Sequence, residues 1–140
     1  MKKLAIIVTF ILVVLISGCK SQDQILSERM IEKYSNDANY VRFMGEVVSF
    51  DEDAGTVIIN SKELIEKQVS ANGIYKFCIY GENDNFTLNV GDEIEFLTVP
   101  FHFYNGHVLP IVEVVLNGNV LLEFEEGKES LIDWAVWYGN

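Results

Sequence analysis

From Tyr40 onward the apolar residues recur at every second position, and turn-forming residues break the pattern at short intervals. A period of two belongs to half-buried strands, and the close spacing of turns favours a small all-β sandwich or barrel. The first strand pair reads as Val41 to Phe50 and Thr56 to Asn60, joined by Asp51-Glu52-Asp53-Ala54-Gly55. A polar, helix-compatible stretch from Ser61 to Ser70 follows, and Asn72-Gly73 leads into a strand from Ile74 to Tyr80. Val90-Gly91-Asp92-Glu93 turns the chain into a strand from Ile94 to Tyr104. Asn105-Gly106 then predicts a type I′ hairpin, because both residues tolerate positive φ, with a return strand from His107 to Leu116. That register places Tyr104 opposite His107 and His102 opposite Leu109. Asn117-Gly118-Asn119 turns into Val120 to Glu125, and Ser130 to Tyr138 reads as a short apolar helix.

The chain before Tyr40 has a different character. Ser21 and Gln24 form a capping-box pattern, and Ile25, Leu26, Met30, Ile31 and Tyr34 recur near helical spacing, predicting an amphipathic helix from about Asp23 to Ser35. Upstream of it, Met1-Lys2-Lys3 precedes an apolar run of 13 residues from Leu4 to Ile16, interrupted only by Thr9. The run is shorter than the roughly 20 residues of a bilayer span and matches the core of a secretory signal. Ile16-Ser17-Gly18-Cys19 resembles the lipobox of bacterial lipoproteins, which implies that Cys19 becomes lipidated and is the first residue of the mature chain. The expected organisation is a lipoprotein signal peptide over residues 1–18, a lipidated cysteine and helix over 19–38, and one β-barrel-like domain with a C-terminal helix over 39–140. The expected location is the extracytoplasmic face of the cell membrane, held by lipid on Cys19.

Gly45-Glu46-Val47-Val48 with the turn at 51–55, and Val90-Gly91-Asp92-Glu93-Ile94-Glu95-Phe96, together resemble an OB (oligonucleotide/oligosaccharide-binding) barrel over Val41 to Leu116. The resemblance implies a mainly β fold, an OB-like barrel of five to six strands with an N-terminal amphipathic helix and a short C-terminal helix. Such barrels serve many functions, so it implies a fold and not an activity.

Removing residues 1–18 leaves 122 residues, a size for one domain, with 8 basic against 21 acidic side chains and a formal charge of −13. Phosphate recognition depends on lysine and arginine, so nucleic acid is excluded as a partner. With Cys19 committed to lipid, Cys78 is the remaining thiol and reads as a buried, inert strand residue. His102 and His107 would share one face of their hairpin with Glu113 as the nearest carboxylate, but two histidines do not complete a zinc site. Counted from Asp51 as a calcium loop, the twelfth position is Lys62, where a bidentate glutamate is required. No metal site and no cofactor is therefore expected. The sequence also lacks a Gly-x-Ser-x-Gly elbow, a His-Glu-x-x-His helix and a phosphate-cradling glycine loop.

Aromatic residues are the most suggestive groups in the mature domain. Phe101-His102-Phe103-Tyr104 alternates, so one face is core and the other is open for recognition. The last helix carries Trp134 and Trp137 with Asp133 as its main polar position, and either buries nearly all round or presents aromatics to a partner. His102, Tyr104, His107, Trp134 and Trp137 are thus the candidate partner surface. The reading that results is a membrane-anchored, non-enzymatic binding module of the cell envelope, with an envelope protein as the expected partner. Saccharide or small-ligand binding is the first alternative, and an envelope hydrolase using paired carboxylates is the second.

Overall fold

The structure, a computed structural model, describes residues 19–81, 86–101 and 108–140. Residues 1–18 of the expected signal, and His102, Tyr104 and His107, lie outside them. The elements run in the order α1 (Gln22–Ser35), a 3₁₀ turn (Asp37–Asn39), β1 (Val41–Asp51), β2 (Thr56–Asn60), α2 (Lys62–Glu66), β3 (Ile74–Ile79), β4 (Glu93–Thr98), β5 (Leu109–Leu116), β6 (Asn119–Leu122) and α3 (Phe124–Tyr138).

The sheet order is β3-β2-β1-β4-β5-β6, and β3 also pairs with β5 in parallel. That extra pairing closes β1 to β5 into a barrel, with β6 hydrogen-bonded to β5 outside the ring. The alternating pattern implied a small β barrel or sandwich and the resemblance an OB-like one, and the fold is mainly β, an OB-like barrel with helices at both ends. Its interior is filled by alternate residues of every strand, including Phe43, Val47, Ile59, Phe77, Ile94, Phe96 and Ile111. Phe96 ties three strands together: it stacks on Phe43 at 5.8 Å between ring centroids and meets Phe77 edge-on at 5.0 Å. Gly45 also points inward, and a Cβ there would lie 2.4 Å from the Ile59 side chain, so β1 curls tightly where it has no side chain.

β5 is buried on both faces, which is why Leu109-Pro110-Ile111-Val112 reads as an unbroken apolar run. Leu109 and Ile111 belong to the barrel interior, whereas Val112 belongs to a second cluster with Met30, Tyr34, Leu131 and Ala135. That cluster is the layer between the barrel and the pair α1 and α3. The two helices run antiparallel: Ser27 Oγ, near the start of α1, donates to the Ala135 carbonyl at 2.6 Å, while Lys128 pairs with Asp37 beyond the other end at 2.6 Å. The capping box of α1 is present, with Gln24 N–H donating to Ser21 Oγ and Ser21 N–H donating to Gln24 Oε1.

Several expectations need correction. The strand from Ile94 extends only to Thr98, two residues before Pro100, which has no N–H to give a ladder. The two-residue-hairpin register would set Phe96 opposite Val115, but Phe96 faces Val114, and a bulge shifts Thr98 to Ile111. Leu109 pairs on one edge with Phe77 of β3, and its expected pairing with His102 on the other edge lies outside the described residues. Strand β6 stops at Leu122, and α3 begins at Phe124, six residues before the helix read from Ser130. Glu125 and Glu126 in the first turn of α3 suit the positive end of the helix dipole. Cys78 is half-buried, not fully buried. Among the described residues no helix is long and apolar enough to cross a membrane.

Gly127 explains the missed helix start, because glycine ordinarily marks a break. Here it is the point where α3 rests on β5: a Cβ would lie 2.1 Å from the Val112 carbonyl oxygen. In an exposed helix Gly→Ala stabilises, but Gly127→Ala is expected to cost about 2 to 3 kcal/mol by forcing the helix off the sheet, read as a lower urea midpoint. A second consequence concerns Tyr40, whose hydroxyl donates to the Tyr34 carbonyl at 2.7 Å. Burial, aided by Tyr34 and Asp37, raises its ionisation above the usual tyrosine value. The folded state thus holds the proton more tightly than the unfolded one, so this stability is complete below the unfolded value of 10.0 and is lost as pH rises beyond it. Tyr40→Phe should flatten the loss of stability in urea titrations taken above about pH 10.

Candidate functional site

The helix pair covers β5, so the outward faces of β1 and β2, on the far side of the barrel, are the open wall. Across that wall the register aligns one row of exposed side chains: Glu93 of β4 faces Glu46 of β1, Glu46 faces Asn60 of β2, and Asn60 faces Ile74 of β3. Met44, two residues from Glu46 on the same face, is 51% exposed. A shallow cleft of about 340 Å³ opens beside this row, lined by Met44, Glu46, Asn60, Lys62, Glu63 and Glu93 among others.

The floor of the cleft is built by the junction of β2 and α2. Ser61 caps α2, accepting from the Glu63 amide, and its own hydroxyl donates to the Met44 carbonyl. Glu63 then turns back and accepts from the Met44 amide at 3.1 Å. Both backbone groups of Met44 on the β2 side are thereby satisfied just past the point where the ladder with β2 begins at Glu46.

The electrostatics of the wall are uneven. Glu95 and Glu113 share Arg42, whose Nη1 lies 3.7 Å and 2.6 Å from their carboxylates. Glu113, the carboxylate expected nearest the hairpin histidines, is thus engaged in an ion pair. Among the described residues neither Glu46 nor Glu93 has an ion-pair partner. Two like charges directly opposite in adjacent strands destabilise the pairing. A lysine at either position would serve the fold better, so this arrangement breaks a local rule without an internal gain, as functional positions do.

The aromatic candidates sit elsewhere. Trp134 is half-buried, with its ring 5.8 Å from Tyr80 and 5.5 Å from Tyr138. Its contact with Tyr80 joins α3 to the end of β3. Trp137, three residues further, is 70% exposed. Cys19 is exposed two residues before the cap of α1. His102, Tyr104 and His107 fall outside the described residues, and the two candidates that are described, Trp134 and Trp137, do not line the cleft. Among the described residues no group of three or more His, Cys, Asp and Glu is placed to hold a metal. Local pattern does not single out Glu46 and Glu93, because their opposition exists only in the β1–β4 register; each by itself is an ordinary strand glutamate.

No protein-family model matches the chain, and no curated protein matches it in sequence. Among solved structures it is similar to apo-CusF residues 6–88 from Escherichia coli, at 15% identity over 56% of this chain and 87% of that one, with a TM-score of 0.41. Ag(I)CusF is similar at 14% identity over 56% and 97%, with a TM-score of 0.39.

Relieving the glutamate pair tests the electrostatic reading. Glu93→Gln is expected to stabilise the fold by about 0.5 kcal/mol at low ionic strength, with the gain shrinking toward zero at about 1 M salt as the repulsion is screened. Urea unfolding at the two salt concentrations measures both.

Proposed function

We propose that this chain is a lipid-anchored, non-enzymatic binding module of the bacterial cell envelope, whose open barrel wall takes a protein partner presenting basic and apolar side chains. The reading of the anchor rests on the signal and lipobox pattern ending at Cys19. The reading of the partner is carried by one observation: Glu46 and Glu93 face each other with no ion-pair partner among the described residues, although Lys62 lines the same cleft, and they stand beside exposed Met44 and Ile74. A basic side chain from outside would remove the repulsion that the isolated domain tolerates, and the apolar neighbours supply contact area around it.

The alternatives fit the wall less well. A saccharide site is a concave surface with stacking aromatics, and no aromatic side chain lines the cleft among the described residues. A glycosidase pair needs a cleft that excludes water around its acid, whereas Glu46 and Glu93 both stand exposed on the outer wall.

The test is a photo-crosslinking amino acid at position 44 of the full chain, expressed in its own cell envelope, with a second variant carrying it at the exposed Glu129 on α3. The expected result is a discrete protein adduct from position 44 that is lost in the Glu46→Gln, Glu93→Gln background and absent from position 129. An adduct that survives both substitutions, or none from position 44, would remove the wall as the binding surface.

A further inference from the structure

The antiparallel pairing of α1 and α3 brings the start of one helix to the end of the other. Ser27 and Gly139 are so close that a Cβ on the glycine would lie 2.6 Å from the serine side chain. At this end a cleft of about 450 Å³ is lined by Cys19, Gln24, Ile31, Val136 and Asn140, among others. Asn140 N–H donates to the Trp137 carbonyl at 3.1 Å, so Trp137 lies in the same helix end as Val136 and Asn140, which line the cleft with Cys19. Among the described residues Trp137 is the most exposed large aromatic side chain, at 70%; its neighbour in sequence Val136 is 45% exposed, and Ile25 in the first turn of α1 is 41% exposed.

We infer that Trp137 is a second membrane contact, inserted at the headgroup level of the bilayer that carries the lipid on Cys19. The inference rests on the lipid-anchor reading above, and it commits to one occupant, the bilayer interface, because the chain leaves the domain toward its anchor at this same end. Only Lys20 separates Cys19 from the cap residue Ser21, so the tether spans no more than about 7 Å. That is comparable with the headgroup layer, roughly 5 to 7 Å deep on each side of the hydrocarbon core. An indole has an apolar body and one N–H donor, which suits the boundary between lipid and water. Electrostatics cannot supply the contact: the last turn of α3 has no basic residue, and Lys20 is paired with Glu28 at 2.6 Å. With a mature charge of −13, anionic headgroups would repel the domain. The contact is therefore apolar and does not need anionic lipid.

The experiment uses the full lipidated chain and its Trp137→Phe variant, each reconstituted into phosphatidylcholine vesicles with bromine on shallow acyl positions. Flotation reports the anchor, and tryptophan emission in the floated fraction reports the contact. The expected result is that both proteins float, that bromolipid quenches the wild-type emission, and that most of this quenching disappears in Trp137→Phe. Flotation of both with equal quenching would overturn the Trp137 contact and leave the anchor standing. Protection of Trp137 from aqueous acrylamide without bromolipid quenching, growing with protein concentration, would assign the residue to a second copy and also overturn it. Failure of the wild type to float would overturn the anchor and the contact together.

Discussion

The burial of β5 on both faces is the constraint on which the rest of this structure depends. Leu109 and Ile111 fill the barrel, and the same short segment pairs in parallel with β3 to close the ring. One residue on, Val112 faces the other way and carries the helix layer, with the backbone of α3 lying directly on it at Gly127. A strand with only one buried face could close the barrel or seat the helices, but not both. The apolar run Leu109-Pro110-Ile111-Val112 is what allows a chain of this size to combine two cores around one strand.

That arrangement fixes which surfaces are left. In the closed ring β1 to β5, the neighbours of β5 are β3 and β4, so β1 and β2 stand on the opposite side from the helices. The row from Glu93 through Glu46 and Asn60 to Ile74 is exposed because the helix pair covers the other side. The helix pair in turn leaves its own end uncovered where α1 starts and α3 stops. The exposed apolar residues at this end, Ile25, Val136 and Trp137, are not the ones that hold the layer together; Met30, Leu131 and Ala135 do that.

Much of this could be read from local pattern. The α1 helix with its Ser21–Gln24 box, the β1–β2 hairpin and the change of period at Tyr40 depend on neighbours in sequence, and all appear where the pattern puts them. The errors fall where a distant contact overrides a local sign. Gly127 looks like a helix breaker until α3 is seen to need the absence of a Cβ over Val112. The alternation beyond Ile94 looks like one long strand, yet β4 ends at Thr98, after the bulge at Leu97/Thr98 and just before Pro100. The wall of the candidate site was illegible for a stronger reason. Its defining feature is the opposition of two glutamates 47 positions apart in the numbering, and only the register of β1 against β4 creates it.

An acidic wall and a short tether act on the same partner in different ways. On the proposed lipid anchor, the tether would confine the domain to a thin shell at the membrane and raise the effective concentration of any neighbour anchored in the same layer without adding a single contact. The unpaired carboxylates act at longer range, since a surface of one sign accelerates encounter with the opposite sign and does so within about a Debye length, roughly 8 to 10 Å at ordinary ionic strength. Apolar side chains such as Met44 and Ile74 contribute only after contact, through slower dissociation. A partner that is itself membrane-bound and basic near the lipid surface gains from all three. One free in solution would gain only from the last two, so under the proposed anchor the position of Cys19 next to the helix end favours partners in the membrane plane.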